Sequence, residues 1–136
     1  MKINGFEYRE NLFYNKKHIW VKKIGKKWIL GLDDIITKRM GDITDIEITY
    51  VDNELYKDDV LATIYYHGEI KEIFPPFAGK VVNVNEDLEK EPELLLTDPY
   101  GKGWLVEMEN ESEEDLDRLM SGDNAEEWFC REVIAD

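Results

Sequence analysis

The stretch Ile64–Pro76, IYYHGEIKEIFPP, reads as a β-hairpin. Two apolar-rich runs flank His67-Gly68, a pair suited to a two-residue turn. Glycine takes positive φ freely, and histidine tolerates it modestly. Strand alternation sends one of Tyr65 and Tyr66 inward and leaves the other outside. Pro75 and Pro76 remove two ladder donors, so this part of the returning strand must lie at an edge or leave the sheet.

The chain around the hairpin repeats the β theme. HIWVKKI (18–24) alternates apolar and polar, Gly25-Lys26-Lys27 is a turn, and WILGL (28–32) returns. DDIITKRMG (33–41) carries helix signals. Acidic residues open it, Lys38 and Arg39 sit near its end, and Gly41 suits the C-cap. DITDIEITYVD (42–52) alternates as a strand with one face buried, with a slip near Asp45 that fits a bulge. DNELYKDD (52–59) reads as a polar turn before VLATIYY (60–66). GKVVNVNEDL (79–88) is a further strand, and Pro92 to Leu96 a short helical turn. Asp98 to Gly101 turns the chain into a closing strand from Trp104 to Met108.

Two helices are expected at about 112–135. Ser112 with Asp115 resembles a capping box, Gly122 is expected to end the first helix, and Asp123 to cap the second. Ala125, Trp128, Phe129 and Val133 share one face of that second helix, which should pack on the β core. Met1 to Phe13 reads as an N-terminal extension, an edge strand or a short arm. The expected fold is mainly β, a sandwich or small barrel with a short inserted helix and C-terminal helices.

Length and composition bound the function. The 136 residues suit one domain with a real core, and 43% are hydrophobic. The net charge of −14 argues against nucleic-acid and anionic-membrane partners, which are themselves polyanions. It suits docking on basic protein surfaces, or simply an acidic coat. Cys130 is the only cysteine, so no intrachain disulfide can form, which fits a reducing, cytoplasmic setting. There is no run of membrane-span length and no apolar run of signal-peptide type in the first ten residues.

No phosphate-cradling glycine loop, CxxC or HExxH is present, and the only histidines are His18 and His67. No metal site and no catalytic residue is assigned. The expectation is therefore a non-enzyme, with Cys130 a buried, inert thiol.

Several segments in one order resemble the H protein of the glycine cleavage system. They are KHIWVK (17–22), GLDDIITKRMGDITDIEI (31–48), PFAGKVVNVNEDL (76–88) and PELLLTDPYGKGWL (92–105). The ungapped resemblance runs from Tyr14 to about Leu105. It implies a flattened sandwich of two antiparallel sheets of the lipoyl-domain type over 14–136, with 1–13 as the extension. It also implies a carrier whose lipoate is borne on a hairpin-tip lysine and shuttles an aminomethyl group between partner enzymes, making their reactions effectively intramolecular.

The chain departs from that pattern at the tip. Counting back from Pro76, the position implied for the lipoyl-lysine falls on Gly68, and that of the usual glutamate three residues earlier on Tyr65. Gly68 has no side chain to form the amide. The expectation is a non-lipoylated docking or regulatory partner of glycine cleavage or other lipoate-handling enzymes, with no resident cofactor. Tyr65, Tyr66, His67, Glu69 and Glu72 are then contact candidates at the tip. The alternative is a lipoyl carrier using Lys71, the nearest lysine, which otherwise reads as a solvated edge residue guarding against strand pairing. A third reading gives His67 a ligand- or metal-binding role.

Overall fold

The structure, a computed structural model, describes residues 1–110 and 114–134. The β-branched and aromatic runs form short strands. Strands β1 (Lys2–Ile3), β2 (Phe6–Glu7), β3 (Phe13–Tyr14), β4 (Ile19–Ile24) and β5 (Lys27–Leu32) lead into helix α1 (Asp34–Met40). Then come β6 (Ile43–Ile48), β7 (Glu54–Leu55), β8 (Ala62–Tyr66), β9 (Glu69–Ile73) and β10 (Gly79–Val84). Helices α2 (Asp87–Lys90) and α3 (Leu94–Thr97), strand β11 (Val106–Glu109), and helices α4 (Glu114–Asp117) and α5 (Gly122–Ile134) complete the order.

The strands make a six-stranded sheet, β3-β4-β5-β11-β10-β7, a three-stranded sheet, β6-β8-β9, and a small β1-β2 hairpin. All pairings are antiparallel. The two larger sheets face each other as a sandwich. Val21, Leu30, Val81 and Met108 of one sheet share a buried cluster with Ile46, Ile64 and Ile73 of the other. Period-two alternation decides this: Val21 points into the sandwich, and its neighbours Trp20 and Tyr14 join a second cluster on the far side. There Ala125, Trp128, Phe129 and Val133 of α5 cover the sheet, as their shared helix face requires.

The first thirteen residues pack onto that second cluster. Tyr8 is 1% exposed and stacks on Tyr14 at 5.3 Å between centroids. The Tyr100 hydroxyl donates to the Glu7 carbonyl at 2.7 Å, and the Glu7 amide donates to Asp34 Oδ2 at 2.8 Å. Gly31 lies beneath the Trp20 ring. A Cβ there would come within 2.4 Å of indole carbons, so glycine alone lets the ring close over β5.

Helix α1 matches its expected signals. The Asp33 side chain accepts from the Ile36 amide, and Gly41, at φ 71, ends the helix with its amide donating to the Thr37 carbonyl. The slip in β6 is a register shift between Ile43 and Asp45. Three details differ from the sequence expectation. Glu54–Leu55, expected as part of a polar turn, pairs with β10 as an edge strand. Asp87 and Leu88, expected as the end of a strand, coil with Glu89 and Lys90 into α2. Gly122, expected to close a helix with Asp123 as the next cap, begins α5 itself. The chain ahead of it is already arrested by the Tyr14–Met120 bridge, whose amides and carbonyls pair at 2.9 and 2.8 Å. Ser112, the expected cap of the first C-terminal helix, lies outside the described residues.

Burial pushes the Tyr14 and Tyr100 phenols well above their ordinary value. Their folded-state pKa is raised, so their contribution to stability is full below about pH 10 and is lost as the pH climbs beyond it. In an alkaline titration, the last phenolate absorbance is expected to develop together with the loss of near-ultraviolet dichroism. Full phenolate development in a chain that keeps its native dichroism would contradict this burial.

Candidate functional site

The β8–β9 hairpin pairs Tyr66 with Glu69 and turns through His67 and Gly68, at φ 48 and 75. Two successive positive φ values are what a type I′ turn requires, and they match the right-handed twist of the strands. Gly68 is fully open: a Cβ built there meets nothing within 4 Å. Pro75 and Pro76 fall just after β9 ends at Ile73, where no ladder donor is needed.

The turn's histidine is held. His67 Nε2 accepts from the Asp42 amide at 3.3 Å, and its ring meets Tyr66 edge-on at 6.5 Å. A Cβ at Gly41 would stand 3.2 Å from that nitrogen, so the glycine that ends α1 also seats the ring. An acceptor nitrogen supplies its lone pair, which leaves the ring proton on Nδ1. His18 lies elsewhere. It is 6% exposed, bonded through Nδ1 to Asp33 Oδ2 and through Nε2 to Glu132 Oε1, both at 2.8 Å. The two histidines therefore attach to opposite ends of α1 and form no joint site.

Alternation splits the tip residues into two sets. Tyr65, opposite Ile70, and Glu72, opposite Thr63, share the outer face. Tyr66, opposite Glu69, and Lys71, opposite Ile64, share the other. Of the two tyrosines, Tyr66 packs against the core and Tyr65 stays out. The Tyr65 hydroxyl donates to Glu47 Oε1 at 2.8 Å, and that hydrogen bond to a carboxylate is the main reason its pKa is raised. Asp45 sits directly across from Tyr65. The outer face thus sets Tyr65 and Ile70, the latter 63% exposed, among Asp45, Glu47 and Glu72.

Ile70 and Glu47 were missed by sequence reasoning as members of this face. Pairing the two strands about His67-Gly68 would have found Ile70, because it falls opposite Tyr65. Lys71 is half-buried and stands three residues past Gly68, on the returning strand. Cys130, expected to be buried, is only partly buried in α5, next to Phe129 of the second cluster and the exposed Arg131. No helix among the described residues is long and apolar enough to cross a membrane.

The family described as Glycine cleavage H-protein matches residues 12–132. The chain is 35% identical over 120 residues to the glycine cleavage system H protein of Oceanobacillus iheyensis, covering 88% of this chain and 95% of that protein. It is 36% identical over 123 residues to the H protein of Carboxydothermus hydrogenoformans, covering 90% and 95%. The crystal structure of a glycine cleavage system H protein from Mycobacterium marinum superposes with a TM-score of 0.77 at 19% identity, over 93% of this chain and 99% of that one. That likeness concerns the fold.

The open space at Gly68 yields a test. Gly68→Lys is expected to fold, losing about 1–2 kcal/mol for an L-residue held at positive φ. Urea denaturation checks this; collapse of the native state would mean that the tip is packed and not open.

Proposed function

Because the chain belongs to the glycine cleavage H-protein family, we propose that it is an H-protein scaffold without lipoate at its tip, acting as a docking or regulatory partner of lipoate-handling enzymes. The observation that carries this reading is Gly68. It occupies the apex of the hairpin, the position the family resemblance implies for the lipoyl-lysine, and it offers no amine for an amide bond. Tyr65, three residues before it, spends its hydroxyl on Glu47 and supplies no carboxylate.

Lys71 would be the attachment residue of a carrier. Its Cα partner is Ile64, a buried core residue, so its side chain leaves the strand on the inner side and away from the apex. Using it would require the hairpin to slip, and a one-residue slip exchanges the two faces of the strand.

The outer face suits a partner's surface. Tyr65 and Ile70 supply an apolar centre, and Asp45, Glu47 and Glu72 supply an acidic rim. A partner with a basic rim around an apolar pocket would complement it. The same proposal makes the protein a binding component in the cytoplasm and no catalyst, its contacts running through Tyr65, Glu72 and the His67 apex.

Intact-mass analysis of protein from its native host is the test. The expected outcome is an unmodified mass beside a lipoylated control carrier; a lipoyl increment mapped to Lys71 would replace this reading with the carrier one. Gly68→Lys combined with Tyr65→Glu is expected to gain the lipoyl group from a ligase that leaves the parent chain untouched. Failure of that folded double variant to be modified would show that more than the tip has been lost.

A further inference from the structure

The outer face of the six-stranded sheet is only partly covered. Tyr14 of β3 and Trp20 of β4 share a buried cluster with α5 and the N-terminal segment, whereas Ile29 of β5 and the neighbouring Tyr100 and Trp104 are half-buried. At that margin lies a pocket of about 350 Å³, walled by Trp20, Tyr100 and Trp104 and floored by Ile29. Two of the rings are held by their polar ends. Trp20 Nε1 donates to the Pro99 carbonyl at 3.0 Å, and the Tyr100 hydroxyl accepts from the Asp34 amide at 3.2 Å while donating to the Glu7 carbonyl. Walls already ordered lose little freedom when a ligand enters.

Strand register sets a row of unlike groups along this pocket. Lys22 on β4 pairs with Ile29 on β5, Ile29 with Glu107 on β11, and Glu107 with Asn83 on β10. Directly paired residues share a face, so a cation, an apolar side chain, a carboxylate and an amide follow one another across four strands. All four line the pocket, and Lys22 and Glu107 are the only charged residues that do. Lys22 is exposed and makes no ion pair among the described residues. Glu107 is half engaged. Its Oε1 accepts from Asn83 Nδ2 at 2.9 Å and lies 3.8 Å from Lys27 Nζ, while its Oε2 has no hydrogen-bond partner among the described residues. The side chain is only 17% exposed, so Oε2 is an open acceptor in a sheltered place.

A ligand matching this row is anionic at one end, flat and apolar in the middle, and a hydrogen-bond donor at the other. Lys22 and Glu107 leave backbones two strand spacings apart, about 10 Å, a gap that one aromatic ring and its two substituents span between the side chains. A ring lying there would meet Tyr100 and Trp104 offset or edge-on. We propose that this pocket binds a planar, single-ring aromatic acid, with Lys22 holding its carboxylate and Glu107 Oε2 accepting from a donor at the far end of the ring. The site stands on the six-stranded sheet and the hairpin on the three-stranded one, so it does not depend on what the tip docks.

The probe is 4-hydroxyphenylacetate, titrated into the full chain by calorimetry and by amide chemical shifts. Saturable binding is expected, with shifts clustered on β4, β5, β11 and the loop from Tyr100 to Trp104. Lys22→Gln, and removal of the donor by using 4-methylphenylacetate, are each expected to weaken binding about tenfold, the scale of one charge-assisted hydrogen bond. Glu107→Gln is expected to narrow the gap between the two ligands. Thermal melts check that both variants, each altered on the solvent side of the sheet, are folded. Tyramine, a cation on the same ring, is expected not to bind, and 4-hydroxycyclohexylacetate, the same groups on a saturated ring, to bind far more weakly. Absence of saturable binding, or unchanged affinity in folded Lys22→Gln, would overturn the proposal. Equal binding of tyramine would remove its electrostatic basis, and equal binding of the saturated acid its aromatic one. A donor gap that persists in Glu107→Gln would overturn the role given to Glu107.

Discussion

One buried carboxylate organises the centre of this molecule. Asp33 is fully buried, and its two oxygens do different work: Oδ1 accepts from the Ile36 amide and caps α1, and Oδ2 takes His18 Nδ1. The other nitrogen of His18 reaches Glu132, 114 residues further along the chain. Sheet, inserted helix and C-terminal helix are thereby joined through a single side chain. Burying a carboxylate costs several kcal/mol, and only close partners of the right sign offset it. Burial pushes the Asp33 carboxyl up, and His18 and the first amides of α1 oppose that push. The consequence reaches the hairpin. Fixing the start of α1 fixes its end, and Gly41-Asp42 at that end is where His67 is seated.

Alternation then distributes charge. Successive residues of β9 face opposite ways, so Ile70 goes to an acidic outer face and Lys71 to a basic pocket beside α1, with Glu72 on the outer face yet still reaching the pocket's lining. A chain with net charge −14 thus presents two surfaces of opposite sign on either side of one strand. Net charge describes steering and solubility, and local recognition follows from which side chains one strand edge brings together.

Features set by neighbouring residues were legible in the sequence: the His67-Gly68 turn, the Asp33 and Gly41 caps of α1, the bulge near Asp45, and the end of β9 before Pro75. Each depends on backbone rules acting over a few residues. What escaped depends on partners far away. Glu54–Leu55 becomes a strand only because β10 lies beside it, and nothing local marks the Glu132 contact to His18. The basic pocket gathers residues 16, 17, 39 and 71 from three elements, and no window of sequence holds them together. Gly122 carried a true signal, with φ 55, but sequence could not tell whether it closed one helix or opened the next.

The same backbone rules bear on why a tip of this kind suits a binding role. A lysine at position 68 would hold an L-residue at positive φ, a strain of about 1–2 kcal/mol that a carrier must tolerate to keep its attachment point. Glycine carries no such strain and offers no side-chain amine. His67 accepts a similar φ and is compensated by its hydrogen bond to Asp42 and its contact with Tyr66. A carrier needs a long mobile arm on its apex, and a docking surface needs the reverse, because every group already ordered is one less to immobilise on binding. The apex here is strapped to the end of α1, and α1 is anchored through Asp33. The tip is thus ordered in advance, which under the proposed docking role gives Gly68 at the apex and the seated His67 one physical sense.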